Sequence, residues 1–406
     1  MACPSRRSPH TDWFRSQLEQ EILPGWYNAA ITDNGFFHAN LNRKWERTPE
    51  SIASLVSQSR LIYVFSVGYL VTGKERYKQA VKRGISFLLN HFRDTDRGGF
   101  HWQTDNRGTP VDPSKEAYGH AFIILALAFS YRVLQDPSLL TEARGVLDLF
   151  QNQFQDPFGG IIRKMSEDWQ DLDECRTQNP MMHLFEATLE LTESFRVHGP
   201  GQSEDSAQCV LSQADALASF LLDIREKNRL DFISEFYDRQ WNPVPDKQEN
   251  PFWSGHQFEW AFLLSLGVER GLNSCYLNTA QQLLDIGMRN SLDENTGAVV
   301  NEHGKINWWE HCEAIRTLLH FSMQRGNKKY VPPFEQVLAY VQQHFTDPEY
   351  KGWYPTLNPD GSPAADFKGS LYKLDYHQTA MCLEAIRLNK DNISLPAVKL
   401  MKIKAV

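Results

Sequence analysis

Apolar residues recur along this chain at the three-to-four-residue spacing of helices, in runs broken by short turn-rich segments. The spacing predicts about twelve helices, over residues 9–22, 48–73, 75–92, 115–134, 138–154, 180–196, 205–225, 255–270, 272–290, 307–324, 331–345 and 372–388. The segments between helix pairs share a character, Gly followed by bulky residues: TDNGFFHANLNR near Asp33, DTDRGGFHWQTDNRG near Asp96, DPFGGIIRKMSED near Pro157, REKNRLDFISEFYDRQWNP near Asn228, DENTGAVVNEHGK near Asn295 and DPEYKGWYPTLNPDG near Tyr350. They return at a mean interval of roughly 63 residues, the mark of a repeated structural unit. Within them, GFHWQ and GWYPTL alternate apolar and polar positions and predict small hairpins.

Six units of helix pair plus hairpin predict an all-α fold, an (α/α)6 barrel of about twelve helices with short β-hairpins at one mouth. The helix after each hairpin would lie inside and the helix before it outside. An open solenoid is the competing arrangement, but it would carry polar capping repeats, and none is evident. A chain of 406 residues exceeds the usual single-domain length, yet a ring of repeats can share one core, so residues 1–406 are expected to form a single barrel domain.

Polar residues then collect in a pattern. In PFWSGHQFEWAFLL, residues 251–264, His256 and Glu259 sit three apart, on one helix face beside Trp260. The other inner helices carry polar groups at the same end: Arg60 on the second; Lys115, Tyr118 and His120 on the fourth; Asn179, His183 and Glu186 on the sixth. The tenth brings Trp309 and Glu313, and the twelfth Lys373, Tyr376 and His377. Taken singly, each has a bland explanation. His256 with Glu259 and His183 with Glu186 can be buried contacts between helices, Arg60 can pair with a carboxylate, and Tyr118 and His120 can be core-edge residues with satisfied polar tips. His101, His303 and His311 look like surface or loop histidines. Six apolar helices bearing polar groups at one end are harder to explain by packing than any one of them, so a functional pocket is expected there.

Composition narrows the class. The 11 Trp and 12% aromatic content suit a concave site walled by flat rings, or else a well-filled core. A net charge of −8 without a long basic run argues against nucleic acid or an anionic membrane as partner. The N-terminal MACPSRRSPHTDW has no apolar segment behind it, so neither signal peptide nor spanning helix is expected and the protein is expected to be cytoplasmic. Cys3, Cys175, Cys209, Cys275, Cys312 and Cys382 are scattered without CxxC spacing and are expected as free thiols. His and Glu are standard metal ligands, but no HExxH or cysteine set is present, and no metal or other cofactor is expected.

NPMMHLFEA, SGHQFEWAFLL, WWEHCEA and KLDYHQTAMC, in this order, resemble the N-acylglucosamine 2-epimerase superfamily, which includes mannose isomerases, the sulfoquinovose-pathway aldose–ketose isomerase, cellobiose 2-epimerases and mannose 2-epimerases. The resemblance covers about Arg60 to Cys382. It implies an (α/α)6 barrel, a monosaccharide or short sugar as substrate, and proton transfer without a metal. It places the family's paired acid/base histidines on His256 and His377, a substrate-contacting histidine on His183 and an arginine near the reacting oxygens on Arg60. Glu259 and Glu313 match carboxylates that orient histidines or hold sugar hydroxyls. Asn179, Trp309, Tyr118 and Lys373 complete the expected binding set. The Asp-Tyr-His at 375–377 looks nearer the isomerase branch, whereas Ser254 and Val56 depart from the commonest patterns.

The chemistry explains these residue types. Isomerising an aldose requires ring opening, then removal of the weakly acidic hydrogen on carbon 2 by a base poised near neutral pH, with a cationic or hydrogen-bonding group on the enediolate oxygens. His377 and His256 are expected to supply the acid/base steps, Arg60 to stabilise the oxygens, Glu259 to set the tautomer of His256, and Trp309 with Trp260 to shape the wall. Return of the proton to carbon 1 gives a ketose; return to the other face of carbon 2 gives the epimer. A mannose–fructose type isomerase is the first expectation and a 2-epimerase the second, as a monomer or homodimer. An inverting glycosidase using Glu259 and Glu313 and a non-catalytic binding scaffold remain as readings of other classes.

Overall fold

A computed structural model describes residues 10–197, 204–246 and 250–389. Cys3 lies outside the described residues, and the other five cysteines are free. Among the described residues the fold is mostly helical, with twelve long helical runs. The first, α1, runs from Thr11–Ser16 through a π-helical stretch, Gln17–Ile22, into Leu23–Ala30. The others are α2 (Leu55–Thr72), α3 (Glu75–Phe87, prolonged by the π-turn Leu88–Phe92), α4 (Ala117–Leu134), α5 (Ser138–Asn152), α6 (Asn179–Val197), α7 (Glu204–Lys227), α8 (Ser254–Glu269), α9 (Tyr276–Ser291), α10 (Trp308–Met323), α11 (Val331–His344) and α12 (Tyr376–Leu388).

Two kinds of helix alternate, and the sequence explains which is which. The odd helices carry an apolar stripe and a polar face: α3 buries Tyr77, Ala80, Val81, Gly84 and Ile85, a three-to-four-residue spacing. The even ones are buried all round, as in α10, where every residue from Trp309 to Phe321 is enclosed. A stripe suits a helix with one side in water, and enclosure on all sides suits the centre. Accordingly α2 packs on α4, α4 on α6, α6 on α8, α8 on α10, α10 on α12 and α12 back on α2. From α3 onward, each odd helix packs on the even helix before it, and α1 packs on both α12 and α2. Helix α4 is long and apolar enough to cross a membrane by length and composition, but 89% of it is buried inside the fold, as in a core helix.

Ten short strands, β1 (Ile52–Ser54), β2 (Gln103–Asp105), β3 (Pro110–Asp112), β4 (Lys115–Glu116), β5 (Lys164–Met165), β6 (Arg176–Thr177), β7 (Phe236–Tyr237), β8 (Ile306–Asn307), β9 (Thr356–Leu357) and β10 (Pro363–Ala365), make small antiparallel sheets. Their orders are β1-β2-β3, β10-β9-β8, β4-β5 and β6-β7. β1, β4, β6 and β8 each lead directly, or after one residue, into α2, α4, α6 and α10. The sheets thereby fasten the starts of these four inner helices at one mouth.

Four helix boundaries differ from the pattern-based ones by four residues or more, one of them the start of α9 at Tyr276 instead of 272. Residues 52–54 pair with 103–105 instead of opening a helix at 48, and Ser54 with Ser57 then forms a reciprocal capping box that starts α2 at Leu55. α1 continues past 22 because Pro24 sits in the first turn of its last section, where no amide hydrogen is required. Gly25 is needed there, since a Cβ would lie 2.6 Å from the Trp45 ring. α12 begins at Tyr376, not at 372, because Asp375 is held in the left-handed region at φ 54°, accepting from Trp26 Nε1 at 2.9 Å and Lys373 Nζ at 2.7 Å.

Candidate active site

The mouth fastened by the strands opens into a cavity of about 650 Å³, within the range of small-ligand pockets. Of the residues expected there, Arg60, Tyr118, Asn179, His183, His256, Trp309 and His377 line it. They come from all six inner helices, each from its first two turns. His256 and His377 both lie against Trp309, with ring centres 5.1 and 5.6 Å from it. Trp253 stacks on His256 at 5.3 Å, so one imidazole is held between two indoles.

Each of the two histidines has a carboxylate on Nδ1. Glu313 Oε1 is 2.7 Å from Nδ1 of His377, and Glu235 Oε2 is 2.7 Å from Nδ1 of His256. An ionised carboxylate only accepts, so Nδ1 carries the hydrogen and Nε2 keeps its lone pair. Glu235 is itself braced by Thr177 Oγ1 at 3.1 Å and Gln178 Nε2 at 2.8 Å. Gln178 Nε2 also lies 3.0 Å from Nδ1 of His256, but a protonated Nδ1 cannot accept, so that amide serves Glu235. Burial would raise Glu235, yet the charge and hydrogen bond of His256 bring it below the ordinary carboxylate value.

This corrects the role expected of Glu259. It is wholly buried one turn deeper along α8 and approaches His183 at 3.9 Å, not His256. Neither Glu259 nor Glu313 lines the cavity; with Glu186 they form a buried floor layer behind the lining residues His183 and His377. A carboxylate pair below the lining cannot reach a glycosidic oxygen, which removes the structural basis for the glycosidase reading. Burial, then the charges of Glu313 and Glu186, raise Glu259 well above the usual carboxylate range, which favours its protonated form. Burial likewise raises Glu313 to about 7, with Arg316 pulling the other way. Burial and the Arg60 charge push His377 well below 6.5, and burial takes His183 to about 4, so both rings are neutral bases.

Among the described residues, Arg60 has no carboxylate partner. Its Nη1 donates to the Tyr372 carbonyl at 2.9 Å and its Nη2 to Tyr118 Oη at 2.7 Å, while the guanidinium stacks over Phe122 at 4.4 Å and Tyr376 at 4.9 Å. A whole positive charge is thus held at the cavity wall by neutral groups, ready for developing negative charge.

Several expected members fall elsewhere. Lys373 Nζ is taken up by the Lys368 carbonyl at 3.0 Å and by Asp375, and is structural. Trp260 lies behind the wall, donating to Gln178 Oε1 at 2.6 Å and stacking on Phe185. Lys115 pairs with Asp94 at 2.6 Å. His120 and His311 hold equivalent places in their repeats. Each has Nδ1 at 2.8 Å from the carbonyl four residues earlier and takes the amide hydrogen of a preceding loop on Nε2, from Phe100 and Val299 respectively. His311 is therefore buried, not a surface residue, because its ring replaces a backbone partner; His101 is buried as well, and His303 is exposed. Glu235 and Gln178 were not singled out from the sequence. No helical spacing marks Glu235, and only the pairing of β6 with β7 brings it beside Gln178.

His183, Glu186 and Glu259, and likewise Glu259, Glu313 and His377, present ligand-type atoms within 4.8 Å of one another. The positive charge in this cluster is supplied by the chain itself: the Arg316 guanidinium lies 3.4 Å from Glu313 and 3.6 Å from Glu186.

Residues 35–380 match the family described as N-acylglucosamine 2-epimerase (GlcNAc 2-epimerase). A cellobiose 2-epimerase of Bacteroides fragilis is 24% identical, with 92% of this chain and 97% of that protein covered. A D-mannose isomerase of Marinomonas mediterranea is 26% identical, with 82% of this chain and 86% of that one covered. Among solved structures, a D-mannose isomerase crystal structure superposes with a TM-score of 0.84 at 23% identity, covering 95% of this chain and all (100%) of that one.

Proposed function

The chain belongs to the N-acylglucosamine 2-epimerase family and is a sugar-processing enzyme of the isomerase class; from this we propose that it interconverts an aldose and a ketose of the mannose–fructose type. The observation that carries the proposal is the pair of imidazoles, His256 and His377, in one cavity against Trp309, each with Nδ1 on a buried carboxylate. Two imidazoles whose Nδ1 atoms are engaged by carboxylates, leaving Nε2 for the substrate, suit a reaction that is all proton transfer. The six inner and six outer helices, with each inner helix packed on the next, support the (α/α)6 barrel as the architecture.

In the mechanism we infer, the open-chain sugar lies over Trp309. His256 assists ring opening, passing the hydroxyl hydrogen between O1 and O5. His377 Nε2 then takes the hydrogen from carbon 2, and the electron pair moves to the carbonyl oxygen as the cis-enediolate forms. Arg60, with Tyr118 behind it, stabilises that oxygen. The hydroxyl hydrogen of O2 passes to O1, His377 returns its hydrogen to carbon 1, O2 becomes the carbonyl oxygen, and the ketose leaves. Asn179 and His183 are assigned to the sugar hydroxyls. Acid/base groups of this kind contribute on the order of 10² to 10⁴ in rate each.

A second reading, a 2-epimerase, is favoured by the relatives named cellobiose 2-epimerase. It uses the same enediolate, with His256 returning the hydrogen to the other face of carbon 2. Incubation with mannose, with products separated by chromatography, tests the proposal. Fructose as the first product supports it, glucose as the first product favours the second reading, and no conversion of mannose overturns both for this sugar.

A further inference from the structure

Arg316 takes no step in the reaction above, yet it is 94% enclosed and sits directly beneath the base, as its exposure of 6% records. It lies on α10 one turn beyond Glu313. Its guanidinium is stacked 3.8 Å over the Phe262 ring, with Nη1 3.4 Å from Glu313 and Nη2 3.6 Å from Glu186. Three carboxyl groups, Glu186, Glu259 and Glu313, form the floor, and among the described residues no other Arg or Lys makes an ion pair with any of them. An apolar residue could fill the space, but it would leave those carboxyls to share their charge in a dry site, which they can only relieve by taking protons.

We propose that Arg316 is a positioning residue for the base: its charge, set between Glu313 and Glu186, keeps the Glu313 oxygen at Nδ1 of His377 unprotonated, and so holds His377 in the tautomer whose Nε2 lone pair is free for carbon 2. This rests on the assignment of His377 as the base. The groups that face Glu313 are Arg316 on its own helix, Glu259 from α8, His183 and Glu186 from α6, and His377 from α12, with Tyr376 donating to Glu186 beside them. Without Arg316 the first proton to arrive goes onto Glu313. The protonated Glu313 then donates to Nδ1, the ring hydrogen of His377 moves to Nε2, and the carbon-bound hydrogen has no acceptor. Burial has already brought Glu313 to about 7 against the pull of Arg316, so losing that pull matters at neutral pH.

The full-length Arg316→Met and Arg316→Lys proteins test this with two readouts. One is kcat/KM for mannose against pH; the other is the imidazole ¹⁵N spectrum of His377 without sugar, which reports which nitrogen carries hydrogen. In Arg316→Met the acid limb is expected to move up by about one pH unit or more, a loss of about tenfold at pH 7 that is recovered near pH 9, with KM within about threefold. The switch of His377 from Nε2- to Nδ1-protonated with rising pH should centre near pH 7 in the native protein and about one unit or more higher in Arg316→Met, and Arg316→Lys should stay within about threefold of native. An unmoved limb, a loss that alkali does not restore, or a His377 switch that stays at the native pH in Arg316→Met would overturn the proposal. If that variant does not fold, Glu186→Gln/Arg316→Met, which removes one charge of each sign, is measured in the same way and should lie between the two. If native protein turns over no sugar, the function proposed above fails while the ¹⁵N spectrum still decides the role of Arg316.

Discussion

Glu235→Gln isolates the support of one imidazole without changing its shape. In the native site Glu235 accepts from His256 Nδ1 at 2.7 Å, from Gln178 at 2.8 Å and from Thr177 at 3.1 Å, at only 7% exposure. The amide keeps the volume and one acceptor but loses the charge that stabilises His256 when it takes a proton in the transition state. A hydrogen bond to a charged group is worth about 1.5–3 kcal/mol, and at about 1.4 kcal/mol per decade this becomes a fall in kcat of roughly 10- to 150-fold. Both Glu235 oxygens are engaged by the protein, so KM should change by less than about threefold. Steady-state kinetics on mannose reads the split, with thermal unfolding as the control for folding. Glu259→Gln is the comparison. Burial favours the protonated form of Glu259, which the neutral amide mimics, so kcat should stay within about threefold. A Glu235→Gln enzyme with native kcat, or a Glu259→Gln enzyme that loses as much as Glu235→Gln, would refute the assignment of Glu235 to His256.

Other perturbations follow from the same geometry. His377→Asn and His256→Asn should each lower kcat by about 10² or more while sugar binding, read by tryptophan fluorescence from Trp309 and Trp253, persists; a variant keeping a substantial share of the native rate would sink the two-histidine scheme. Exhaustive dialysis against a chelator should leave kcat unchanged, since the cluster's positive charge comes from Arg316; loss restored by Mn²⁺ would show a metal mechanism. Far from the mouth, burial would raise Glu190, but Arg270 and Arg132 pull it to about 2. Its folded value lies below the unfolded one, so its stabilisation is complete above about pH 4.5 and is lost as pH falls towards 2. This amounts to about 3 kcal/mol. Glu190→Gln should therefore lower the melting temperature at pH 7 and flatten its fall between those two pH values; an unaltered slope would contradict the pairing.

The alternation of helix types was legible because it is a property of single helices. The apolar stripe of α3 and the predominantly apolar α4 declare their places before any packing is known. His256 and His377 were legible for the same reason, as polar residues in the opening turns of apolar helices. What escaped depends on contacts between segments. Glu235 precedes a two-residue strand and reaches His256 only through the pairing of β6 with β7. The expectation that Glu259 serves His256 came from their three-residue spacing, which puts two side chains on one face but not at one depth. Lys373 shows the opposite failure: it sits in a family-like motif, but the left-handed Asp375 turns it to the Lys368 carbonyl and away from the cavity. His311 looked like a loop residue because nothing in WWEHCEA shows that its ring replaces a backbone partner.

The claim on which the rest depends is that hydrogen leaves carbon 2 as a proton, to an imidazole that can exchange it with solvent. Mannose taken to equilibrium in heavy water, with products and label positions read by NMR, tests it most directly. The account predicts fructose with deuterium bound to carbon 1; conversion that leaves every carbon free of deuterium, as transfer of hydride would, contradicts it.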